Sequence, residues 1–428
     1  MEVLILVLTF IVLIGIGVPI AWSIGLSSVF TMLVSIPVLP AFTTVAQRMA
    51  TGLDSFSLLA IPFFVLAGQI MNYGGIARRL IAFAKALVGA LPGGLAHVNI
   101  VAAMLFGAIA GSSVAAASAL GTTVGKQMEK EGYSRAFATA VNVTSSTTGL
   151  VIPPSNILIV YSLASGGVSI AALFLAGYLP GILTGLFLMI VAAFWSTYKK
   201  FPAGERSKWR TILSTFVDAL PSLFLLVVVI GGIVAGIFTA TEASAVAVLY
   251  CLLLMAFYRE VSFKQLPEIF LQSVGTTAIV LLLVGTSMSM SWVMAYENIP
   301  QDITSLLLSI SDNKYVILLL INLTLLFVGI FMDMTPAVLI FTPIFLPVVT
   351  ELGMDPTHFG VVMVLNLCIG LCTPPVGSVL FVGVGISGAR IQEVIRPLVP
   401  LFLAMILALL LVTYVPALSL SLPRLFGF

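Results

Sequence analysis

The chain has 428 residues, of which 60% are hydrophobic and only 8% charged, with a formal net charge of +2. A soluble domain carries about 25% charged residues, so this chain cannot build a water-exposed surface and belongs in a bilayer. The small net charge gives no reason to expect nucleic acid as a partner.

Residues 3–35 form an apolar run too long for a cleaved signal peptide and without a basic start, so they read as membrane structure. Residues 78–91 can form an amphipathic helix lying in the cytoplasmic interface, an arm between fixed and moving parts. No charge occurs between Lys85 and Lys126, between Arg135 and Lys199, or between Arg396 and Arg424. Each gap exceeds the roughly 20 apolar residues that span hydrocarbon.

Within the second gap, Gly149-Leu-Val-Ile-Pro153-Pro154 must break a helix, because proline donates no hydrogen bond and restricts the residue before it. Gly370-Leu-Cys-Thr-Pro374-Pro375 repeats this break 221 residues later. Gly107-Ala-Ile-Ala-Gly-Ser112-Ser113 lines up with the stretch from Gly329 through Asp333 to Thr335, and Gly132 with Gly353, at nearly the same spacing. The pattern divides the chain into halves, 1–205 and 216–428, joined through the basic stretch 199–210, with the cytoplasmic connection placed at 206–215.

Loop charge orients the halves. Arg78, Arg79 and Lys85 mark one cytoplasmic loop, and Lys126, Lys130 and Arg135 another. The matching second-half loops carry Glu297, Asp302, Glu351 and Asp355. The halves therefore face opposite ways, as in an inverted repeat. Every Lys and Arg except Arg48, Lys314 and Arg424 then falls inside, and both termini are periplasmic.

Two cytoplasmic loops flanking residues 95–125 require that segment to enter and leave by one face, as a re-entrant hairpin turning at Gly111-Ser112-Ser113. One long tilted helix is the alternative, and it would put Lys126 and Arg135 outside. Symmetry places a second hairpin at 317–347, with its tip near Asp333 and Thr335. The broken helices fall at about 136–165 and 357–388. A pair of interrupted helices, one per half, is the sequence pointer to a transporter binding site.

The first break gathers Asn142, Thr144, Ser145, Ser146, Thr147, Thr148, Ser155 and Asn156, and the second has Thr373 and Ser378. Hydroxyls and the carbonyls freed at Gly149 and Gly370 are hard oxygen ligands suited to Na⁺. At least two Na⁺ sites are expected, drawn from Ser113, Asn142, Ser145, Gly149, Asp333, Thr335, Gly370 and Thr373. The substrate is expected at Ser112, Ser113, Thr148, Ser155, Thr335 and Ser378. Any single hydroxyl can instead bond back to its own helix or hold helices together. Asp333 reads either as a functional intramembrane acid or as a helix cap. Glu242 reads as structural. No Lys or Arg lies at a break or tip, so an anionic substrate must be met by helix N-termini, backbone N–H groups and Na⁺.

Other patterns carry less. Gly383-x-Gly385-x-x-Gly388 follows no strand and reads as helix packing. Gly121-Thr-Thr-Val-Gly125-Lys126 is one residue short of a phosphate loop and has Gln127 in place of its Ser/Thr; with no nucleotide-binding domain in the sequence, ATP is not expected as the fuel. Cys251, Cys368 and Cys372 indicate neither a disulfide framework nor a zinc site. His97 and His358 stand without a metal-binding pattern, and no catalytic set is evident, so an enzyme is not expected.

The combined motifs Ser57-Leu-Leu-Ala-Ile-Pro62-Phe63-Phe64-x-x-Ala67-Gly68, Gly107-Ala-Ile-Ala-Gly-Ser112-Ser113, Pro153-Pro154-Ser155, Thr239-Ala-Thr-Glu242-Ala and Gly370-Leu-x-Thr373-Pro-Pro375 resemble the large membrane subunit of tripartite ATP-independent periplasmic (TRAP) transporters over the whole chain. The resemblance implies an all-α polytopic, elevator-type, Na⁺-driven importer in a bacterial inner membrane. It implies carboxylate substrates such as C4-dicarboxylates or sialic acids, a separate small four-helix membrane subunit and a periplasmic substrate-binding protein. A stand-alone Na⁺/dicarboxylate symporter of similar architecture is the alternative, and a channel-like or scaffold protein a third.

Overall fold

The computed structural model describes residues 2–73, 75–202, 204, 206–259, 263–311 and 313–428, with only the backbone of Ile109 and Ala110. Glu205, where the sequence reading ends the first half, lies outside the described residues. The described secondary structure is helical throughout. Among the described residues, eight helices are long and apolar enough to cross a membrane.

The first half opens with α1 (Glu2–Gly15), α2 (Ile20–Ser35), α3 (Val38–Leu53), α4 (Ala60–Tyr73) and α5 (Ile76–Val88). Next come α6 (Gly94–Ala110), α7 (Ser113–Leu120), a π-helical turn at Gly121–Gly125, and α8 (Lys126–Lys130). Then follow α9 (Arg135–Val151), α10 (Asn156–Ala164) and α11 (Ile170–Lys199). The second half contains α12 (Trp209–Val234), α13 (Ala240–Tyr258), α14 (Leu266–Tyr296), α15 (Ile299–Ile310) and α16 (Lys314–Phe331). It ends with α17 (Met334–Glu351), α18 (Pro356–Gly370), α19 (Ser378–Ser387), α20 (Ile391–Tyr414) and α21 (Ala417–Leu425). Helix starts at 113, 135 and 170 recur at 334, 356 and 391, each 221 residues on.

Local chemistry explains the interruptions. Gly111 closes α6 with φ +59°, a left-handed conformation that glycine adopts without a Cβ penalty. Ser112 then caps α7, its Oγ accepting from the Ala115 N–H at 3.3 Å. The chain after this turn runs back along α6, so that Leu95 and Glu131 border the same cavity. Pro153 and Pro154 supply no N–H, and α9 and α10 meet at a bend of 52°. Pro374 and Pro375 separate α18 from α19 in the same way.

The interrupted helices lie at the centre. Residues 137–151 of α9 and 358–370 of α18 are buried without exception. They cross where the Cys368 thiol donates to the Thr147 carbonyl at 3.3 Å and the Cys372 thiol to the Val143 carbonyl at 3.4 Å. Buried His358 ties α18 to the C-terminal helices through the Ser419 hydroxyl and the Thr413 carbonyl. Around this core, α4 packs on α13, and α14 on α2, α3 and α4. Glu242 forms a capping box with Thr239 at the start of α13, the structural role its sequence context indicated.

The amphipathic helix α5 lies against α12. Its Arg79 sits 3.6 Å from the Asp218 carboxylate and stacks 3.6 Å from the Tyr258 ring centroid. Tyr133 donates to the Pro202 carbonyl at 2.9 Å, and the Arg135 guanidinium lies near Gly388. The basic loops therefore gather at one end of the helical body.

Candidate functional site

Both helix interruptions and both tips converge on one cavity of about 240 Å³. Gly111, Ser112, Ser113, Val114 and Ala115 line it from the first tip, and Asp333, Met334 and Thr335 from the second. Leu150, Asn156, Ile157 and Val160 line it from the first break, and Leu371 from the second. The opposite wall belongs to uninterrupted helices: Ile61, Val65, Gly68, Gln69 and Asn72 of α4, and Thr276 and Val280 of α14.

Glycine contacts bring tip and break together. A Cβ on Gly149 would lie 2.3 Å from the Gly107 Cα, so α6 and α9 touch backbone to backbone. A Cβ on Gly370 would lie 2.6 Å from Gly329, the same contact between α16 and α18. Small residues allow such close approach between membrane helices.

Three helix N-termini face the cavity. The first turns of α7 (113–115), α10 (156–157) and α17 (334–335) all line it. Each helix start leaves backbone N–H groups unpaired and carries about half a positive charge. Among the described lining residues there is no Lys, Arg or His, and Asp333 is the one ionisable group. The arrangement suits a small anion held by backbone N–H groups, hydroxyls and amides.

Asp333 occupies the cap position of α17, but its side chain makes no capping bond. It is open to the cavity. The capping bond of one reading is therefore not formed, and the carboxylate lines the cavity wall.

Ser112, Ser113, Asp333 and Thr335 thus share the cavity wall. Thr148 and Ser155 do not reach it, because their hydroxyls turn back to the carbonyls of Ser145 and Leu150. Ser378 starts α19 on an exposed surface outside the lining. Ser145 sits one turn before Gly149 and donates to Asn99 Oδ1 at 3.0 Å. Thr373, beside Gly370, donates to the Ile369 carbonyl at 2.8 Å. Asn142 is set apart from both tips: it donates to the Ala117 carbonyl at 2.8 Å and borders a void of about 10 Å³ with Gly121 and Gly383.

Sequence reasoning passed over several polar groups. Gln69 and Asn72 stand three residues apart on one face of the otherwise apolar α4, a signal that could have marked them. Asn99 pairs with Ser145, and Asn366 donates to Asn322 Oδ1 at 2.8 Å. The Asn366 Oδ1 is buried without a hydrogen-bond partner. Thr276 carries no distinguishing signal.

A helical body with two interrupted helices meeting at a cavity lined by hydroxyls and amides has the build of a secondary transporter. The family profile described as "Tripartite ATP-independent periplasmic transporter, DctM component" matches residues 7–418, and the chain belongs to this family. It is therefore a multi-pass inner-membrane transport protein and not an enzyme.

The chain is 58% identical over 426 residues to the uncharacterized protein YgiK of Salmonella typhimurium, covering 100% of this chain and 98% of that one. It is 40% identical to the C4-dicarboxylate TRAP transporter large permease protein DctM of Pseudomonas aeruginosa, covering 95% and 94%. It is 41% identical to the sialic acid TRAP transporter large permease protein SiaM of Vibrio cholerae, covering 89% of each. In fold it is similar to the YdaH transporter of Alcanivorax borkumensis, with a TM-score of 0.65 over 87% of each chain at 12% identity.

Proposed function

We propose that this chain is the transport subunit of a TRAP system that imports a small organic acid together with Na⁺. The observation that carries the reading is the convergence of three helix N-termini on a cavity whose described lining holds no fixed cation. An organic acid also fits the names of the C4-dicarboxylate and sialic acid relatives. Its carboxylate would lie against the first turns of α7, α10 and α17, with Ser112, Ser113, Asn156, Gln69 and Asn72 addressing its polar body.

Na⁺ would lie at the tips and breaks. One site would use Ser113, Ser145 and Gly149 with Asn99 close by, and another Asp333, Thr335, Gly370 and Thr373. Hard oxygen donors fit Na⁺, and the unpartnered Asn366 Oδ1 leaves an acceptor one turn from Gly370. Asn142, Thr148, Ser155 and Ser378 stay outside these sets.

The halves would be inverted repeats, with hairpins and broken helices as the moving part of an elevator and both termini periplasmic. The recurrence of helix starts at 221 residues supports the repeat. So does the bond between Cys368 and Thr147, which stand 221 residues apart and touch each other, as residues on a two-fold axis must. Family membership implies a small membrane subunit and a periplasmic binding protein as partners.

The test is uptake by proteoliposomes holding the complex and its binding protein. Organic-acid uptake should require an inward Na⁺ gradient and no ATP. Undiminished uptake with choline in place of Na⁺ rules out the coupling. Full activity of the chain without the small subunit would favour a stand-alone symporter.

A further inference from the structure

The geometry points to a second anion site, at the end of the helical body where the basic loops gather, built to hold the phosphate of an anionic phospholipid headgroup. The cavity there measures about 600 Å³ and is separate from the substrate cavity. The Gly204 N–H donates to the Gly89 carbonyl at 3.1 Å, which pins the connecting segment onto the end of α5. Arg206 and Lys208 thereby share a cavity wall with Lys85, and the hydroxyls of Ser207 and Thr211 join them.

The charges of this wall are unspent. None of the side chains of Lys85, Arg206 and Lys208 has an ion-pair or hydrogen-bond partner among the described residues. The one described acid of the lining, Glu131, already accepts from the Gln127 amide at 2.9 Å. Among the described residues, three cations and one carboxylate line the cavity, an excess of positive charge suited to a phosphate.

The surroundings place that phosphate at a membrane interface. Tyr198, in the last turn of α11, and Trp209, at the start of α12, are each 74% exposed, as aromatic residues at headgroup depth are. Phe83 of α5 meets Phe216 of α12 with ring centroids 5.5 Å apart. One turn nearer the cavity, Leu87 and Leu213 are each more than half exposed. They extend an apolar surface from the basic wall, where an acyl chain can lie while its headgroup occupies the cavity. A soluble phosphate would use the cations but not this apolar flank. The site touches α5, the base of the first hairpin and the link between the halves, so a lipid there would brace parts that transport has to move.

The full chain, purified in detergent with its membrane partner, can be examined by native mass spectrometry after exposure to phosphatidylglycerol or phosphatidylethanolamine. The wild type should retain phosphatidylglycerol at least about tenfold better than the Lys85→Gln/Arg206→Gln/Lys208→Gln variant, which lacks the three cations that attract an anionic headgroup. Phosphatidylethanolamine retention should not differ between them. Glu131→Gln should raise phosphatidylglycerol retention, and this single exposed change keeps the test open if the triple variant does not fold. Equal phosphatidylglycerol retention in wild type and triple variant, or reduced retention in Glu131→Gln, overturns the site. Displacement of the lipid by excess inorganic phosphate overturns the lipid as its occupant.

Discussion

Gly107 and Gly149 meet without any side chain between them: a Cβ on Gly149 would stand 2.3 Å from the Gly107 Cα and 3.0 Å from the Ala103 carbonyl oxygen. Gly329 and Gly370 repeat the contact in the second half. Each pair fixes how near a tip comes to its broken helix. The cavity lies where both sets of tips and breaks come together, so its shape depends on these two contacts.

Adding one methyl group at either contact should therefore loosen the site. Gly149→Ala and Gly370→Ala force backbone apart, and overpacking of this kind costs about 1–3 kcal/mol. The expected result is a lowered melting temperature with uptake falling further than stability accounts for. Gly385→Ala is the control, because nothing lies within 4 Å of the added atom. A Gly149→Ala protein with unchanged melting and uptake would show that the contact is not tight.

Much of this was legible from residue pattern. Proline pairs announce a helix break by lacking N–H groups, whatever surrounds them. Gly111, followed by two serines, announces a turn and a cap. The hydroxyls were harder, because a serine or threonine in a helix looks the same whether it faces a cavity or its own backbone. Ser113 lines the cavity, whereas Thr148 and Ser155 spend their protons on Ser145 and Leu150 carbonyls. The α4 wall was missed for another reason: Gln69 and Asn72 lie more than 35 residues from the nearest tip, and only tertiary packing brings them to it.

Topology gives a second prediction. Cysteine introduced at Lys130 or Arg210 should be labelled only from the cytoplasm, and at Asp302 or Glu351 only from the periplasm. Asp355 is a poor choice for replacement, since its carboxylate caps α18 by accepting from the Thr357 N–H at 2.7 Å. Labelling of positions 130 and 351 from the same face would end the inverted-repeat reading.

Coupling gives a third. If at least two Na⁺ accompany a monovalent acid, each cycle moves net positive charge inward. An inside-negative potential should then accelerate uptake, since each charge gains about 2.3 kcal/mol per 100 mV. Uptake that ignores a valinomycin-set potential while still needing Na⁺ would mean that the charges balance.

Substitutions in the cavity separate its two walls. Asp333 makes no capping bond, so Asp333→Asn should leave the melting temperature within about 0.5 kcal/mol of stability, as for changes away from structural contacts. Removing the charge should nonetheless raise the Na⁺ concentration needed for half-maximal uptake. Ser113→Ala should act in the same direction and be partly rescued by high Na⁺, because it deletes at most one oxygen ligand. Gln69→Leu changes the opposite wall, where the proposed Na⁺ ligands are absent. It should weaken the apparent affinity for the organic acid and leave the Na⁺ requirement unaltered. A shift in Na⁺ requirement with Gln69→Leu, or none with Asp333→Asn, would show that substrate and cation are divided between the walls differently from the assignment made here.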